Sequence, residues 1–446
     1  MDEMMRLVSY KERKCFNLYD FFIFVTVLFI TVQSFVIFNV GKFGIQISLL
    51  TSIIGIIFLF FNYCVKNKIN IKVTKADVWL ILLYLVELIS IFINLYKNID
   101  INIDIHLYIV EWSGGIIYLF FRLSINNYER LEHAIKMFIL SANISAIYGI
   151  YQVIAFKYNL FGGLLLRNNS GLTMVNSTNI LRAFAFTAEP SNLVGILLSA
   201  HIISLIMYIN NKKIRYYKYS TYISLLGSLF TASQVLIILP FFYLYILALF
   251  NYKSKIKEVF KVIAYMFLLL FIIFIIWPNI FEVANQRIFD YFNHFINDNS
   301  NYTRLGTAIS GIRIFLNNPL FGAGVGNANL LVMKYYPKNI SIMYNIQTMP
   351  ILYNKTGFDS FFVAKLAQSG LFGIIALVSY IFSCINFNLK NQQYEKVAVN
   401  MGFLLIFTVL IFTVYNASLY YFWFLAALSV NSNLVLSNRK RWVKHA

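Results

Sequence analysis

Long apolar runs divide this sequence from near its start to near its end. Each run is close to the roughly 17–25 residues that a helix needs to cross the hydrocarbon of a bilayer. A segment inside lipid must satisfy its own backbone hydrogen bonds, so such runs predict a bundle of membrane-spanning helices. The runs are 20–38, 43–61, 77–95, 105–121, 134–156, 192–209, 218–233, 234–250, 259–277, 360–383, 398–415 and 417–436.

The composition excludes a soluble fold. Hydrophobic residues make up 59% of the chain and charged residues 12%, whereas a soluble domain has roughly 45–50% and about 25%. We therefore predict an all-α polytopic membrane protein with about 12 transmembrane helices, folded as a single integral membrane domain over 1–446. The first run has no small-residue cleavage site after it, which favours an uncleaved first span over a signal peptide.

The excess of basic residues fits a membrane protein better than a nucleic-acid-binding protein. The formal net charge is +19, from 37 Lys and Arg against 18 Asp and Glu. These basic residues are concentrated in alternate connecting segments, beginning with the segment before the first run. Cytoplasmic loops carry such an excess. We therefore expect both termini in the cytoplasm and no nucleic acid as a partner.

Two external segments are longer than a connection requires. They are residues 157–191 and residues 278–359. Long loops in compact proteins are usually functional, so we expect the chemistry of the protein in these two loops.

The shorter loop ends in a motif that suits an anion. Arg182 is followed by Glu189 and Pro190, directly before an apolar run. Proline suits the first helical turn, and the start of a helix presents free backbone donors to an anion. The alternative is that Glu189 only caps the helix and Arg182 only anchors to lipid headgroups.

The longer loop contains an amphipathic pattern over about 303–317. At about 100° per residue, one apolar stripe forms, and Arg304 and Arg313 fall on its opposite flanks. The stripe consists of Leu305, Ala308, Ile309, Ile312, Phe315 and Leu316. Such a helix lies in the membrane interface with its arginines at phosphate depth. Both arginines reach one phosphate only if Gly306 or Gly311 bends the helix; otherwise each serves its own ligand or anchors to headgroups.

The cluster of Gly322, Gly324 and Gly326 resembles a nucleotide-binding loop only superficially. No strand and helix of the required kind surround it. We predict a tight turn that returns the chain from the interfacial helix to the membrane.

Other ionisable residues favour a structural role. Glu87, Glu111 and Lys365 fall inside predicted spans, where charges are costly, and an internal ion pair explains them better than catalysis does. The histidines are isolated and lack metal-ligand spacing. His294, in the longer loop, keeps an acid–base role as an alternative. We expect neither a metal nor a cofactor.

Three motifs together resemble the superfamily of O-antigen polymerases and O-antigen ligases. They are Arg182 with Glu189-Pro190-Ser191, Thr303-Arg304 with Asn318-Pro319-Leu320-x-Gly322-x-Gly324, and Gly370-Leu371-Phe372-Gly373 at the opening of a helix. The resemblance covers roughly residues 140–385. It implies a GT-C-like glycosyltransferase of the bacterial inner membrane, acting on sugars linked to undecaprenyl diphosphate at the periplasmic face.

Within this superfamily the sequence is closer to the Wzy-type polymerases. Ligases have an essential histidine before the span with the Gly-x-x-Gly pattern, and Phe358 stands there in this chain. Polymerases have an Arg-x10-Gly motif, which Arg313 and Gly324 fit. The shorter loop departs from that motif, because Gly195 follows Arg182 two positions late.

The resemblance implies that the growing glycan on undecaprenyl diphosphate is transferred to a lipid-linked repeat unit. Arg182, Arg304 and Arg313 would bind the diphosphate, and Glu189 or Asp359 would be the base. The implied partners are these lipid-linked oligosaccharides, membrane lipid and a chain-length regulator. An O-antigen ligase or another exopolysaccharide polymerase is the nearest alternative. A flippase for the same lipid is a more distant one, because it would not require the longer loop.

Overall fold

The computed structural model describes residues 18–33, 35–40, 43–66, 72–97, 101–162, 181–187, 189–211, 214–249, 299–337, 358–385, 394–411 and 419–443, with isolated positions between 260 and 271. Its α-helices are α1 Leu18–Phe29, α2 Ile47–Lys66, α3 Lys75–Ile93, α4 Ile101–Ser124, α5 Tyr128–Lys157, α6 Pro190–Asn210, α7 Arg215–Phe230, α8 Leu239–Leu249, α9 Asn299–Asn317, α10 Val325–Leu331, α11 Phe361–Cys384, α12 Tyr394–Ile411 and α13 Tyr420–Val443. Two strands, β1 Val36–Val40 and β2 Phe43–Gln46, form an antiparallel hairpin.

Five of the described helices are long and apolar enough to cross a membrane: α3, α5, α6, α11 and α12. Shorter apolar helices lie within α1, α2 and α13. The chain is therefore a helical, polytopic membrane protein, as its apolar runs predict. The total of about 12 spans stays a prediction, and most of the run at 259–277 lies outside the described residues.

Helix α6 is the centre of the bundle. In its apolar window 94% of the residues are buried, against 39% in α3. It packs against α7 and α12, and α12 packs against α13. A helix that is apolar on every side belongs in an interior, and α6 fits this rule.

The first two predicted spans, 20–38 and 43–61, are wrong at the end of the first and at the start of the second. Helix α1 ends at Phe29, and the chain then enters the hairpin of β1 and β2 before α2 begins. Val36 pairs with Gln46 and Val40 with Phe43. Apolarity alone does not distinguish helix from strand, and the β-branched and aromatic residues of β1, followed by Gly41, favour a strand.

Helix α3 begins at a capping box, which also ties it to α4. The Thr74 side chain accepts from the Asp77 N–H, and the Asp77 carboxylate accepts from the Thr74 N–H. Asp77 also pairs with Arg122 of α4 at 3.1 Å. This pairing fixes the two helices side by side.

A buried ion cluster joins α3 and α4 to α11. Lys365 Nζ lies 2.5 Å from Glu87 Oε1 and also donates to Glu111 Oε2. All three side chains are at most 3% exposed. The predicted internal ion pair is confirmed, and it takes the form of one ammonium between two carboxylates.

The two short predicted spans, 218–233 and 234–250, are separated at the expected hinge, Ser233-Gln234. Helix α7 ends at Phe230, a 3-10 turn occupies Gln234–Ile238, and α8 follows. Ser233 begins this turn by accepting from the Val235 N–H. Whether the pair is re-entrant stays a prediction.

Candidate functional site

Helix α9 covers the amphipathic segment that the sequence predicts at about 303–317. Its packed face differs from the predicted apolar stripe, because Thr307, Ser310 and Ile314 are buried while Leu305 and Leu316 are exposed. This face packs against α11. Small and hydroxyl side chains let helices approach closely, so the larger apolar residues are left on the outer face. An outward apolar face fits an interfacial position, which stays a prediction.

The two glycines of α9 permit close packing and do not bend the helix. Helix α9 is continuous from Asn299 to Asn317. A Cβ atom at Gly306 would overlap the Tyr336 ring, and one at Gly311 would overlap Val363. The bend that would bring both arginines onto one phosphate is therefore not present.

Asp359 lies against α9 just before α11 begins. Thr307 donates from Oγ1 to Asp359 Oδ2 at 3.2 Å, and Asp359 is 4% exposed. Ser360 is the N-cap of α11. Thr307 was not predicted as a site residue from the sequence. Its hydroxyl, on the face of α9 that packs against α11, is the feature that could have indicated it.

Phe358, at the position where the resemblance leads us to expect a histidine in ligases, is part of a small apolar core. Its ring is 2% exposed and packs with residues of α9, α10 and the start of α11. The phenyl ring therefore fills space between these elements, and it offers no group for proton transfer.

Arg304 and Arg313 lie at different places along α9. Arg304 is half-buried, one turn from Thr307, and Arg313 is exposed and donates to the Tyr335 carbonyl at 3.1 Å. With a continuous helix between them, the two arginines are suited to two different anionic groups.

Helix α11 is broken at Gly370, which has φ 65° and ψ −157°. The loop before α10 satisfies the backbone groups freed by this break. Leu371 N donates to Pro319 O at 2.8 Å, and Phe372 N donates to Leu320 O at 3.2 Å. The Gly370 motif thus opens the second half of a longer helix instead of a separate one.

The same loop also bonds to the first half of α11. Ala323 N donates to Ala367 O at 2.9 Å, and Gly324 N donates to Gln368 O at 3.1 Å. Gly322 has φ 69°, and a Cβ there would overlap the Gln368 backbone. The loop and the break therefore form one unit, which we call the clasp, comprising residues 318–324 and 367–372.

The predicted glycine turn is formed by two of its three glycines. Gly322 and Gly324 both have positive φ, but Gly326 lies within α10. Gly324 is the N-cap of that helix, so the turn ends there. The prediction that Gly326 belongs to the turn is therefore wrong, because α10 has already begun at Val325.

Ser90 of α3 and Asn94, the C-cap of α3, anchor the clasp, and neither was predicted from the sequence. Ser90 Oγ donates to Gln368 O at 3.0 Å, and Asn94 Nδ2 donates to Gly322 O at 2.9 Å. Both side chains are buried. Polar residues within or beside an apolar span were the available signal.

The end of the shorter loop is held by α5 and α7. Arg182 Nε donates to Thr231 O at 3.0 Å. The Ala185 N–H donates to Gln152 Oε1 of α5 at 2.7 Å. Residues 163–180 of this loop lie outside the described part of the chain.

Glu189 is the N-cap of α6, and Pro190 occupies the first turn as expected. Its carboxylate makes no cap bond to the backbone of α6; instead Ser191 Oγ donates to Glu189 Oε2 at 3.2 Å. The N-terminal end of α6 thus combines a carboxylate with the free backbone donors of a helix start.

The candidate residues form two groups held by different elements. One comprises Arg182 and Glu189 at the ends of α5, α6 and α7, and the other comprises Arg304, Arg313 and Asp359 around α9. The second group joins the central core through Phe361, whose ring lies 5.7 Å from that of Phe422 in α13. Each group offers guanidinium donors and one carboxylate, which suits binding of an anionic group beside a base.

The comparisons with known proteins agree with this part of the chain. No curated protein shows significant similarity to the sequence. Residues 219–378 match the family model described as O-antigen ligase. The matched range includes α9, the clasp and Asp359. The match supports the superfamily of O-antigen ligases and polymerases, with glycan processing of that type, and it does not distinguish the two branches.

Proposed function

We propose that this chain is a Wzy-type polysaccharide polymerase, acting on O-antigen. It would transfer a growing glycan from undecaprenyl diphosphate onto a lipid-linked repeat unit at the periplasmic face. The proposal rests mainly on one observation: the range that matches the family model contains α9, Asp359 and the clasp. We place the protein in the bacterial inner membrane, with about 12 spans, a GT-C-like architecture and cytoplasmic termini.

The ligase is the second candidate, because the matching family model is described as a ligase. The side chain at position 358 favours the polymerase. Phe358 is buried in an apolar cluster, and a phenyl ring neither accepts nor donates a proton. A ligase mechanism that uses a histidine at this position is therefore disfavoured.

The reaction requires an acceptor hydroxyl to attack the anomeric carbon of the donor. A new glycosidic C–O bond forms, the bond from that carbon to the diphosphate breaks, and undecaprenyl diphosphate leaves. The hydroxyl proton passes to a base, for which Glu189 and Asp359 are the candidates. General-base catalysis contributes roughly 10²–10⁴ in rate.

Charge accumulates on the departing diphosphate, and guanidinium groups are suited to it. Arg182, Arg304 and Arg313 are the residues that we assign to this work. Because Arg182 is held at α7 and the other two on α9, we infer that donor and acceptor diphosphates are bound by different arginines. The arginines supply the positive charge, so the mechanism needs no metal.

The experiment is complementation of a strain that lacks the gene. Arg182→Ala, Arg304→Ala and Arg313→Ala are each expressed, and glycan chain length is read on a gel. Lys218→Ala, on the exposed face of α7, is the matched control for loss of a basic residue. We expect short chains from the arginine variants and long chains from the control. Long chains from all three arginine variants would contradict the proposal.

A further inference from the structure

An apolar groove lies beside α1 because that helix ends early. Helix α1 ends at Phe29, opposite the middle of α5. Asp20 pairs with Arg130 near the start of α5, and Leu28 O accepts from Ser141 Oγ near the middle of that helix. Helix α1 thus stops about halfway along its neighbour, and the groove occupies the space beyond.

The lining of the groove suits a hydrocarbon chain. The cavity has a volume of about 320 Å³ and is lined by apolar side chains such as Phe29, Val32 and Ile144. Its hydroxyl groups are bonded to one another: Thr31 Oγ1 lies 2.7 Å from Ser141 Oγ and 3.1 Å from Ser145 Oγ. A polar headgroup would gain little here, whereas a single alkyl or isoprenoid chain would bury apolar surface.

The groove is open at the surface of the helical bundle. Phe35 is 46% exposed and Ile144 is 44% exposed, and both line the cavity. A chain dissolved in the bilayer can therefore enter laterally, between α5 and the beginning of the hairpin.

Phe186, on the segment that also carries Arg182, contributes to the wall of the groove. Phe186 lines the groove, stacks on Tyr148 of α5 with ring centroids 4.6 Å apart, and accepts from the Gln33 N–H. Arg182 is four residues away, at most about 14 Å along an extended chain. A lipid with its chain in the groove would therefore present its polar end to this segment and to the start of α6.

We propose that this groove binds the polyprenyl chain of a lipid-linked substrate, with the diphosphate beside Arg182. The assignment rests on the proposed function. A polyprenyl diphosphate has one chain and a dense anionic head, which matches a single groove whose lining residue Phe186 is four residues from the Arg182 guanidinium. A phospholipid has two chains and one phosphate and matches less well.

The test compares two tryptophan substitutions on α5. Ile144 lines the groove, whereas Ile147 is 57% exposed outside it. The purified full-length protein, wild type, Ile144→Trp or Ile147→Trp, is titrated with undecaprenyl diphosphate and separately with inorganic diphosphate. We expect Ile144→Trp to weaken undecaprenyl diphosphate binding about tenfold, since excluding even two methylenes from a site costs about that much. It should leave inorganic diphosphate binding unchanged, and Ile147→Trp should change neither.

The outcomes separate the groove from the enzyme's function. Equal affinity of Ile144→Trp and wild type for undecaprenyl diphosphate would overturn the groove and leave the proposed function standing. Displacement of the bound polyprenyl lipid by an equal amount of phosphatidylglycerol would also overturn the groove, because a phospholipid would then be its occupant. A wild-type protein that binds no undecaprenyl diphosphate at all would contradict the proposed function itself.

Discussion

Thr307 and Asp359 are joined by a hydrogen bond of 3.2 Å that links α9 to the residue before the N-cap of α11. The bond holds a buried carboxylate against the helix that carries Arg304 and Arg313. A base must be fixed close to the hydroxyl that it deprotonates, and this contact supplies that restraint on the candidate base Asp359.

Asp359→Asn keeps an acceptor for Thr307 and removes the carboxylate. If Asp359 is the base, we expect the rate of chain extension to fall by roughly 10²–10⁴. The rate is measured with radiolabelled lipid-linked repeat units in membranes that contain the variant. A wild-type rate would remove Asp359 as the base and leave Glu189, for which Glu189→Gln is the corresponding variant.

Thr307→Val tests the restraint alone. It has nearly the same shape and lacks the hydroxyl, so we expect a smaller fall in rate than for Asp359→Asn, while Thr307→Ser should act as wild type. Equal rates for Thr307→Val and Thr307→Ser would show that the hydrogen bond does not position Asp359.

The clasp should be intolerant of any side chain at its two close glycines. Gly322 and Gly370 have positive φ. A Cβ on either glycine would overlap the backbone of the other segment of the clasp. We expect Gly322→Ala and Gly370→Ala each to lower stability by at least about 1–3 kcal/mol, seen as a lower thermal midpoint in detergent. Gly149→Ala, in α5 where a Cβ would meet its neighbours at 3.3 Å or more, is the control. Midpoints equal to that of the control would argue against the clasp.

The buried ion cluster predicts that stability lost by replacing Lys365 is recovered when the two carboxylates are also replaced. Lys365→Met leaves Glu87 and Glu111 buried without their ammonium group, and breaking a buried pair costs about 3–5 kcal/mol. We expect a marked loss of thermal stability, and recovery of most of it when Glu87→Gln and Glu111→Gln are added. A triple variant no more stable than Lys365→Met would show that the lost charge pairing is not the cause.

Introducing at position 358 the histidine that the resemblance implies for ligases should not create a ligase. Phe358 is buried in the cluster behind α9, so Phe358→His would bury a polar ring among apolar side chains. We expect lower stability than for Phe358→Leu and no transfer of glycan to lipid A-core. Detection of such transfer, by lipopolysaccharide gels of a ligase-deficient strain, would count against the polymerase assignment.

The sequence predicted those parts of the fold that depend on local pattern. The lengths of the apolar runs predicted α3, α5 and α6, and the preference of proline for the first helical turn predicted the start of α6 at Pro190. Both features depend on residues that are close in the chain. The cost of charge in lipid identified Glu87, Glu111 and Lys365 as partners, since each needs an opposite charge and few are present in the spans.

What the sequence could not predict depends on contacts between distant segments. The sequence around Gly370 is typical of a helix, and the break there is stabilised by hydrogen bonds to the distant loop 318–324. Helix α9 turns its small residues inward because α11 lies close, so its larger apolar residues were assigned to the wrong face. The early end of α1 reflects hairpin pairing between Val36 and Gln46, which an apolar run does not reveal.

The central claim is tested most directly by reconstitution of the purified protein with a single species of undecaprenyl-diphosphate-linked repeat unit. The account predicts a ladder of longer glycans, all still attached to undecaprenyl diphosphate, with one undecaprenyl diphosphate released for each unit added. Failure to form any ladder, together with transfer of the unit onto added lipid A-core, would contradict it and identify a ligase.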